Sequence, residues 1–539
     1  MTEKDIFPIA CEVRATGGPI CISTVPADRI IFLTLRGARF PLPQAQSITE
    51  EKVGLPYWAD RVLEEHSNVG GALPAEPIHD LRVSLRRCIL IAEVMMEVDP
   101  ECDWKAMRKS ARRTFQRLGT LRDTQVLEEW IEKLGTPGDA STVLLLDILK
   151  KKHEQDRIDA RAAVREFDRK QWRAWRRECA QHYRHVVSDR PACESLVLEI
   201  WESVRDFSRR AQRSRSFRAY HRLRVALKKF RYAVENFMPS AYPGWAPDLK
   251  ILQDLLGEVH DLTVLDQTIV KNRSLFDEVS FAAWRAKVDA ERAARLEQFR
   301  AKMAGRNSPL QIWREGLPAE KDLRSTGLAR LGEWAAFVTP DFSRARRIAR
   351  LSLQLYDGLA NCGLLQENSP IEKRFILHAA ALLEESGRLQ GAKAYHKESY
   401  RMIRRLTPPP GWTKRDLELV ALVARFHRRA LPYPDHGKLR RYDLPLRQSI
   451  IRMAAILRLA SAFQSKQYQA IRRLHVENGP GFLVVRVEGF RDRDPVNTKL
   501  SVARRFLEFV FQRSVHILAP GTRMLAPKIV RPAARSDAA

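Results

Sequence analysis

The sequence predicts a mainly α-helical protein: a duplicated unit of long bundled helices, then a second helical domain with a small β-hairpin, all behind a short β-containing N-terminal extension. Three observations predict this. Leu, Ala, Arg and Glu recur at helical period over about 55–305 and again over about 325–470. A nine-residue motif of the first region returns later within it. The 25 glycines form neither GxGxxG nor GxxxxGKS/T, which excludes the common phosphate-cradling loops of nucleotide-binding α/β domains.

Residues 1–50 alternate in short apolar runs, Ile20 to Val25 and Arg29 to Leu35, broken by Gly17-Gly18 and Pro41-Leu42-Pro43, as a small β segment would be. From 51 to 305 the helical pattern breaks at residues 70–77, 99–100, 135–138 and 239–247, where Gly and Pro cluster, and divides into repeats of about 51–190 and 191–305. The basic, Gly-containing stretch Lys302 to Lys321 reads as a loose connection to a second domain over 325–520. That domain contains a strand pair, Leu474 to Val476 and Phe482 to Val487, turning across Glu477 to Gly481. Residues 521–539 are polar and Pro-containing, a disordered tail.

Charge narrows the function. The 93 Lys and Arg exceed the 65 Asp and Glu by 28, and such a surplus repels itself in the folded state unless the partner is a polyanion. Nucleic acid, anionic lipid and polyphosphate all qualify on charge alone. The seven cysteines contain no CxxC pair, as expected of a reducing compartment rather than a disulfide framework or a zinc ribbon. The start, MTEKDIFPIACEV, lacks an apolar signal region, and no run approaches the ~20 apolar residues of a membrane span. A cytoplasmic protein with no membrane partner is expected.

The repeat carries the chemistry. His79-Asp-Leu-Arg82-Val-Ser-Leu-Arg86-Arg87 returns 142 positions later as His221-Arg-Leu-Arg224-Val-Ala-Leu-Lys228-Lys229. Leu118-Gly119 to Asp123 returns 138 positions later as Leu256-Gly257 to Asp261, and the same offset pairs Arg112 with Lys250. On a helix, positions three, four and seven apart share a face. His79, Arg82 and Arg86 therefore form one stripe, and His221, Arg224, Lys228 and Arg231 a second, while Leu81, Leu85, Leu223 and Leu227 fall on a core face. From Arg209 to Tyr232 ten cations, Arg218 among them, stand without one acid. A solvated helix ordinarily mixes signs, so aligned cations on duplicated helices that face each other would form a groove for a linear polyanion. The histidines read as helix-start residues or as phosphate donors. Asp123 and Asp261 read as helix N-caps or as partners of a bundle arginine.

These motifs, duplicated over about 55–305, resemble the conserved histidine α-helical (CHAD) domain. The resemblance implies two similar four-helix bundles around a basic channel that binds inorganic polyphosphate. It also implies that His79, Arg82, Arg86, Arg87, Arg112, Arg218, His221, Arg224, Lys228, Lys229, Arg231 and Lys250 line that channel. Departures are Arg222 where the first copy has Asp80 and His260 where it has Arg122.

Three later segments, Arg344 to Leu359, Ala379 to Gly387 with His396 to Ser399, and Leu422 to Arg429, resemble the C-terminal HD-like domain of the exopolyphosphatase and guanosine pentaphosphate phosphatase family. An HD site needs His and Asp ligands converging on a divalent metal that activates water. By that resemblance Arg344 stands where the leading His is expected, Glu384-Glu385 where the His-Asp pair is, and Ser461 where the late Asp is. His396 and His427 alone keep recognisable identities. Two adjacent glutamates on a helix diverge by about 100° and do not both reach one ion. The expectation is a metal-free, cofactor-free, non-catalytic polyphosphate binder, associated with polyphosphate granules and paired as a homodimer through the HD-like domain. Two alternatives stay open: a phosphohydrolase acting on polyphosphate or a phosphorylated nucleotide through the HD-like domain, and non-specific, weak nucleic-acid binding.

Overall fold

A computed structural model describes residues 54–522 except 72, 366–369, 392, 430, 465–467, 469 and 492–496. The β reading of residues 1–50 and nearly all of the tail, from residue 523 on, lie outside the described residues. The first region opens with α1 (Gly54–Val69), α2 (Ala75–Met95), α3 (Trp104–Leu134), α4 (Ala140–Arg165) and α5 (Arg169–Tyr183). Its second copy is α6 (Pro191–Ser214), α7 (Phe217–Phe237), α8 (Tyr242–Lys271) and α9 (Glu278–Met303). Within each copy successive helices pack as hairpins, and across the copies α2 lies on α7 and α3 on α8. Like helix meets like, as in an isologous dimer.

The local chemistry explains most boundaries. Asp103, Asp139, Asp168, Ser216 and Asp277 cap α3, α4, α5, α7 and α9 by accepting from backbone N–H groups of the first turn. Segment 239–247 is only half a break, because α8 starts at Tyr242 and carries Pro243 in its first turn, where a missing N–H costs no helical bond. The core-facing leucines of the repeat, Leu81, Leu85, Leu223 and Leu227, are fully buried. The first copy has a fifth helix absent from the second: α5 lies against α1 and α3 and fills the space with the buried Trp172 and Trp175.

The connection after residue 302 is not loose. It contains α10 (Pro309–Glu315), whose Trp313 is wholly buried with its ring 5.3 Å from that of Phe230. The buried ring anchors the short basic segment, and Arg314 adds to it by donating to the Leu317 and Pro318 carbonyls.

The second region comprises α11 (Leu323–Val338), α12 (Phe342–Asn361), α13 (Pro370–Leu383), α14 (Tyr395–Arg405), α15 (Lys414–Phe426), α16 (Leu444–Ala462), β1 (Arg473–Gly479), β2 (Phe482–Glu488), α17 (Thr498–Phe511) and β3 (Ser514–Leu518). One continuous core unites these helices with the sheet. The hairpin turn is tighter than its sequence indicates: Gly479 pairs with Phe482, leaving Pro480 and Gly481 as the turn residues, and Gly481 takes φ +77°. β3, paired parallel to β2, has no counterpart in the sequence reading. The two regions join where α11 packs on α6 and where Arg330, 3% exposed, pairs with Glu97 and Glu199.

Candidate functional site

Where α2 and α3 meet α7 and α8, Arg82 and Arg86 from the first copy face Arg224 and Lys228 from the second. Arg82 donates to the Gly119 carbonyl at 3.1 Å and lies 3.7 Å from Asp123. Arg86 donates across the junction to the Tyr232 hydroxyl at 3.2 Å. Both guanidinia stand over the Phe115 ring, 5.1 and 5.0 Å from its centre, a cation–π contact that holds them without neutralising them. The Nε atoms of Arg82 and Arg224 are buried with no hydrogen-bond partner.

The electrostatics show an uncompensated cluster. Burial lowers the pKa of Arg82, with Arg86 and Arg122 adding to the effect and Asp123 opposing it. Burial lowers Arg224 as well, against the pull of Asp261. Lys228 is lowered to about 6, first by burial and then by Arg224, Arg86 and Arg82. Asp261 is raised to about 6 by burial, in spite of Arg224. His260, its ring 4.9 Å from that of His221, is lowered to about 4 by burial and Arg224. Three guanidinia and an amine driven towards its neutral form thus share two aspartates. The missing negative charge is what a phosphate oxygen supplies.

The other sequence-derived candidates divide. Arg87 turns into the bundle: its Nε and Nη2 donate to both carboxylate oxygens of Glu235 at 3.0 and 2.9 Å, between the rings of Trp58 and Tyr232. It is therefore committed to an ion pair that ties α2 to α7, and its charge is not shared with the Arg82, Arg86, Arg224 and Lys228 cluster. Lys229 lies 3.4 Å from Glu93, and Arg231 donates to Tyr242 and Gln253. His221 is exposed at the edge of the junction, and its pKa is lowered by partial burial, Arg224 and Lys228. His79 is exposed and bonded to Asp80 at 3.1 Å. Arg112, Arg218 and Lys250 are exposed; Arg112 and Lys250 each stand seven residues before the motif glycine, on the helix face that continues the junction. Asp123 and Asp261 lie inside α3 and α8, which removes the N-cap reading and leaves that of arginine partner. Phe115 and Tyr232 went unrecognised in the sequence. Each lies one helical turn from a motif residue, Gly119 and Lys228 respectively, and that spacing was the available signal.

In the second region the six HD-like positions converge, although not as metal ligands. α13 ends at Leu383, so Glu384 and Glu385 sit in the turn beyond it rather than on a helix. Arg344 from α12 meets Glu385 at 2.8 Å, and Arg388 meets the same oxygen at 2.7 Å. Ser461 donates to Glu384 at 3.1 Å, and burial raises Glu384 to about 8. His427 hydrogen-bonds through Nε2 with Tyr395 and through Nδ1 with the Ala424 carbonyl, and burial lowers it to about 3. His396 is buried and lowered to about 4, chiefly by burial and Arg425. These residues do not fit a divalent ion: two guanidinia occupy Glu385, Arg344 and Ser461 offer no carboxylate or imidazole, and both ring nitrogens of His427 are engaged. Among the described residues no group of three His, Cys, Asp or Glu is placed to hold a metal. Nor is any described helix long and apolar enough to cross a membrane.

The fold is thus a duplicated helical hairpin domain with a cationic junction, joined to a second helical domain with a small sheet. Residues 59–270 match the family model of the CHAD domain, and residues 324–481 that of Ppx/GppA phosphatase, domain III; the chain carries a CHAD domain fused to a Ppx/GppA domain III-like module. Together the two domains suggest a polyphosphate-related function. The crystal structure of the CHAD domain from the plant Ricinus communis is similar at 21% identity and a TM-score of 0.34, covering 48% of this chain and 87% of that one. No curated protein matches the chain.

Proposed function

We propose that the protein is a non-catalytic, cytoplasmic binder of inorganic polyphosphate, which it holds at the junction of its two CHAD repeats. The observation that carries this reading is the convergence of Arg82, Arg86, Arg224 and Lys228 around two aspartates, with buried guanidinium Nε atoms left unpartnered. A repeating, flexible polyanion satisfies such a cluster residue by residue, with bidentate forks from arginine and a point charge from lysine. Exposed Arg112, Arg218 and Lys250 extend the field along the chain of phosphates. The HD-like module contributes surface rather than chemistry, since a guanidinium stands at Arg344 and pairs with Glu385, and a hydroxyl stands at Ser461.

The test is a competition titration at fixed ionic strength. Long-chain polyphosphate displaces a labelled DNA duplex, and Arg82→Glu with Arg224→Glu abolishes polyphosphate binding while the helical circular dichroism is kept. Duplex DNA outcompeting polyphosphate at equal phosphate concentration would overturn the reading.

A further inference from the structure

A second cationic site lies on α12 and α13, away from the repeat junction. α12 buries Ile348, Ala349, Leu351, Leu355 and Leu359, which turns Arg346, Arg350, Gln354 and Asp357 onto a shared outer face at spacings of four, four and three. From α13, Arg374 and His378 meet that face. Arg374 is fixed by a two-point ion pair to Asp357, at 2.8 and 3.0 Å. The Gln354 side-chain oxygen accepts the Leu474 N–H at 2.9 Å, which leaves its amide nitrogen to donate. Burial, with Arg374 adding to it, lowers His378 to about 4, so at neutral pH it is an uncharged imidazole with one N–H to give. These residues line a bowl of about 280 Å³.

Its charge is incomplete in the same sense as that of the junction. Three guanidinia share one carboxylate, and that carboxylate is committed to Arg374. Among the described residues Arg346 and Arg350 have no acidic partner, although both are exposed and one helical turn apart. The bowl is separate from the HD-like cluster, since Arg344 and Arg346 are two positions apart and so point roughly 200° away from each other around α12. At about 280 Å³ it falls just below the range of drug-sized pockets. An anion of two or three charges, with several oxygens set close together, fits both the size and the fork geometry of paired arginines.

We propose that this bowl binds a pyrophosphate group, held by Arg346 and Arg350 with donors from Gln354 and His378. The group is either free, as pyrophosphate or the diphosphate of a nucleotide, or the terminus of a polyphosphate chain.

The test uses the full chain carrying Arg82→Glu and Arg224→Glu, so that the repeat junction is silenced and the titration reads this site alone. Isothermal titration with pyrophosphate at low ionic strength gives one saturable site per chain. Arg346→Ala with Arg350→Ala weakens it at least tenfold, whereas Arg347→Ala, whose guanidinium is engaged by Gln464 and Asp341 and does not line the bowl, leaves it unchanged. Competition identifies the source: displacement by ADP but not by long-chain polyphosphate assigns a nucleotide diphosphate, and displacement by the polymer assigns a chain end. Unaltered thermal unfolding of the double variant keeps the comparison valid, because both arginines are exposed. Absence of saturable pyrophosphate binding, or equal binding by the double variant, overturns the proposal and leaves the reading of the repeat junction untouched.

Discussion

Polyphosphate binding should take up a proton and weaken as pH rises, and Lys228 sets the size of the effect. In the free protein burial and three neighbouring guanidinia hold this ammonium at about 6 rather than 10.5, so about one-tenth of the molecules carry the charge at pH 7 and about one-hundredth at pH 8. The groups facing it are Arg82 and Arg86 on α2, Asp123 on α3, His221 and Arg224 on α7, and His260 and Asp261 on α8. A phosphate chain laid among them reverses the field and restores the ordinary ammonium. Because the complex then binds nearly one more proton than the free protein, Kd should rise about tenfold per pH unit between pH 7 and 8.5, about 1.4 kcal/mol per unit. Below pH 7, Asp261, already at about 6, adds to the uptake. Titration calorimetry at pH 7.5 in two buffers of different ionisation enthalpy counts the protons directly. Lys228→Arg, whose charge does not titrate in this range, should flatten the slope. A Kd constant from pH 6.5 to 8.5, or equal heats in both buffers, would refute the argument. Unliganded stability should move the opposite way. The folded pKa of Lys228 lies below its unfolded value, so the unfolded chain binds more protons, and this group adds stability as pH climbs from about 6 towards 10.5.

Four further outcomes follow from named contacts. Lys228→Met removes a buried amine whose charged form the site disfavours, so chemical denaturation should show a more stable protein with weakened polyphosphate binding. Glu235→Ala leaves the buried Arg87 guanidinium without its two-point partner and should cost about 3–5 kcal/mol in urea unfolding, against a much smaller change for Lys229→Ala. Trp313→Ala should cost about 3–5 kcal/mol by the same measurement, because the connection between the domains is anchored by that ring. Arg344→Met strands Glu385 with Arg388 alone and should lower the melting temperature, while a chelator leaves the unsubstituted protein's melting temperature where it was.

The periodic features were legible in the sequence. The duplicated nine-residue motif located α2 and α7, and its three- and four-residue spacings separated the arginine face from the buried leucines. Sequence alone could not say which cations would be spent on internal partners. Arg87 is adjacent to Arg86, yet one helical step of about 100° turns it from the Lys228 cluster to Glu235 on α7, 148 positions away. Trp313 looked like part of a basic linker because its anchor, Phe230, is distant in sequence. β3 escaped because its five residues, Ser514–Leu518, pair with a strand that begins about thirty positions earlier. Arg344 could be read as a replaced ligand, whereas its bond to Glu385 depends on how the turn after α13 carries the two glutamates off the helix.

The stacking of α2 on α7 and α3 on α8 has a consequence for how the proposed polymer would be held. A linear condensed phosphate looks the same read from either end, and a reader built from two copies of one hairpin presents nearly the same face to a strand arriving in either direction. Such a clasp need not recognise a leading end; it can catch the strand mid-length and let it slide. The departures between the copies, such as Asp80 against Arg222, Arg86 against Lys228 and Arg122 against His260, would give the strand its sense of heading.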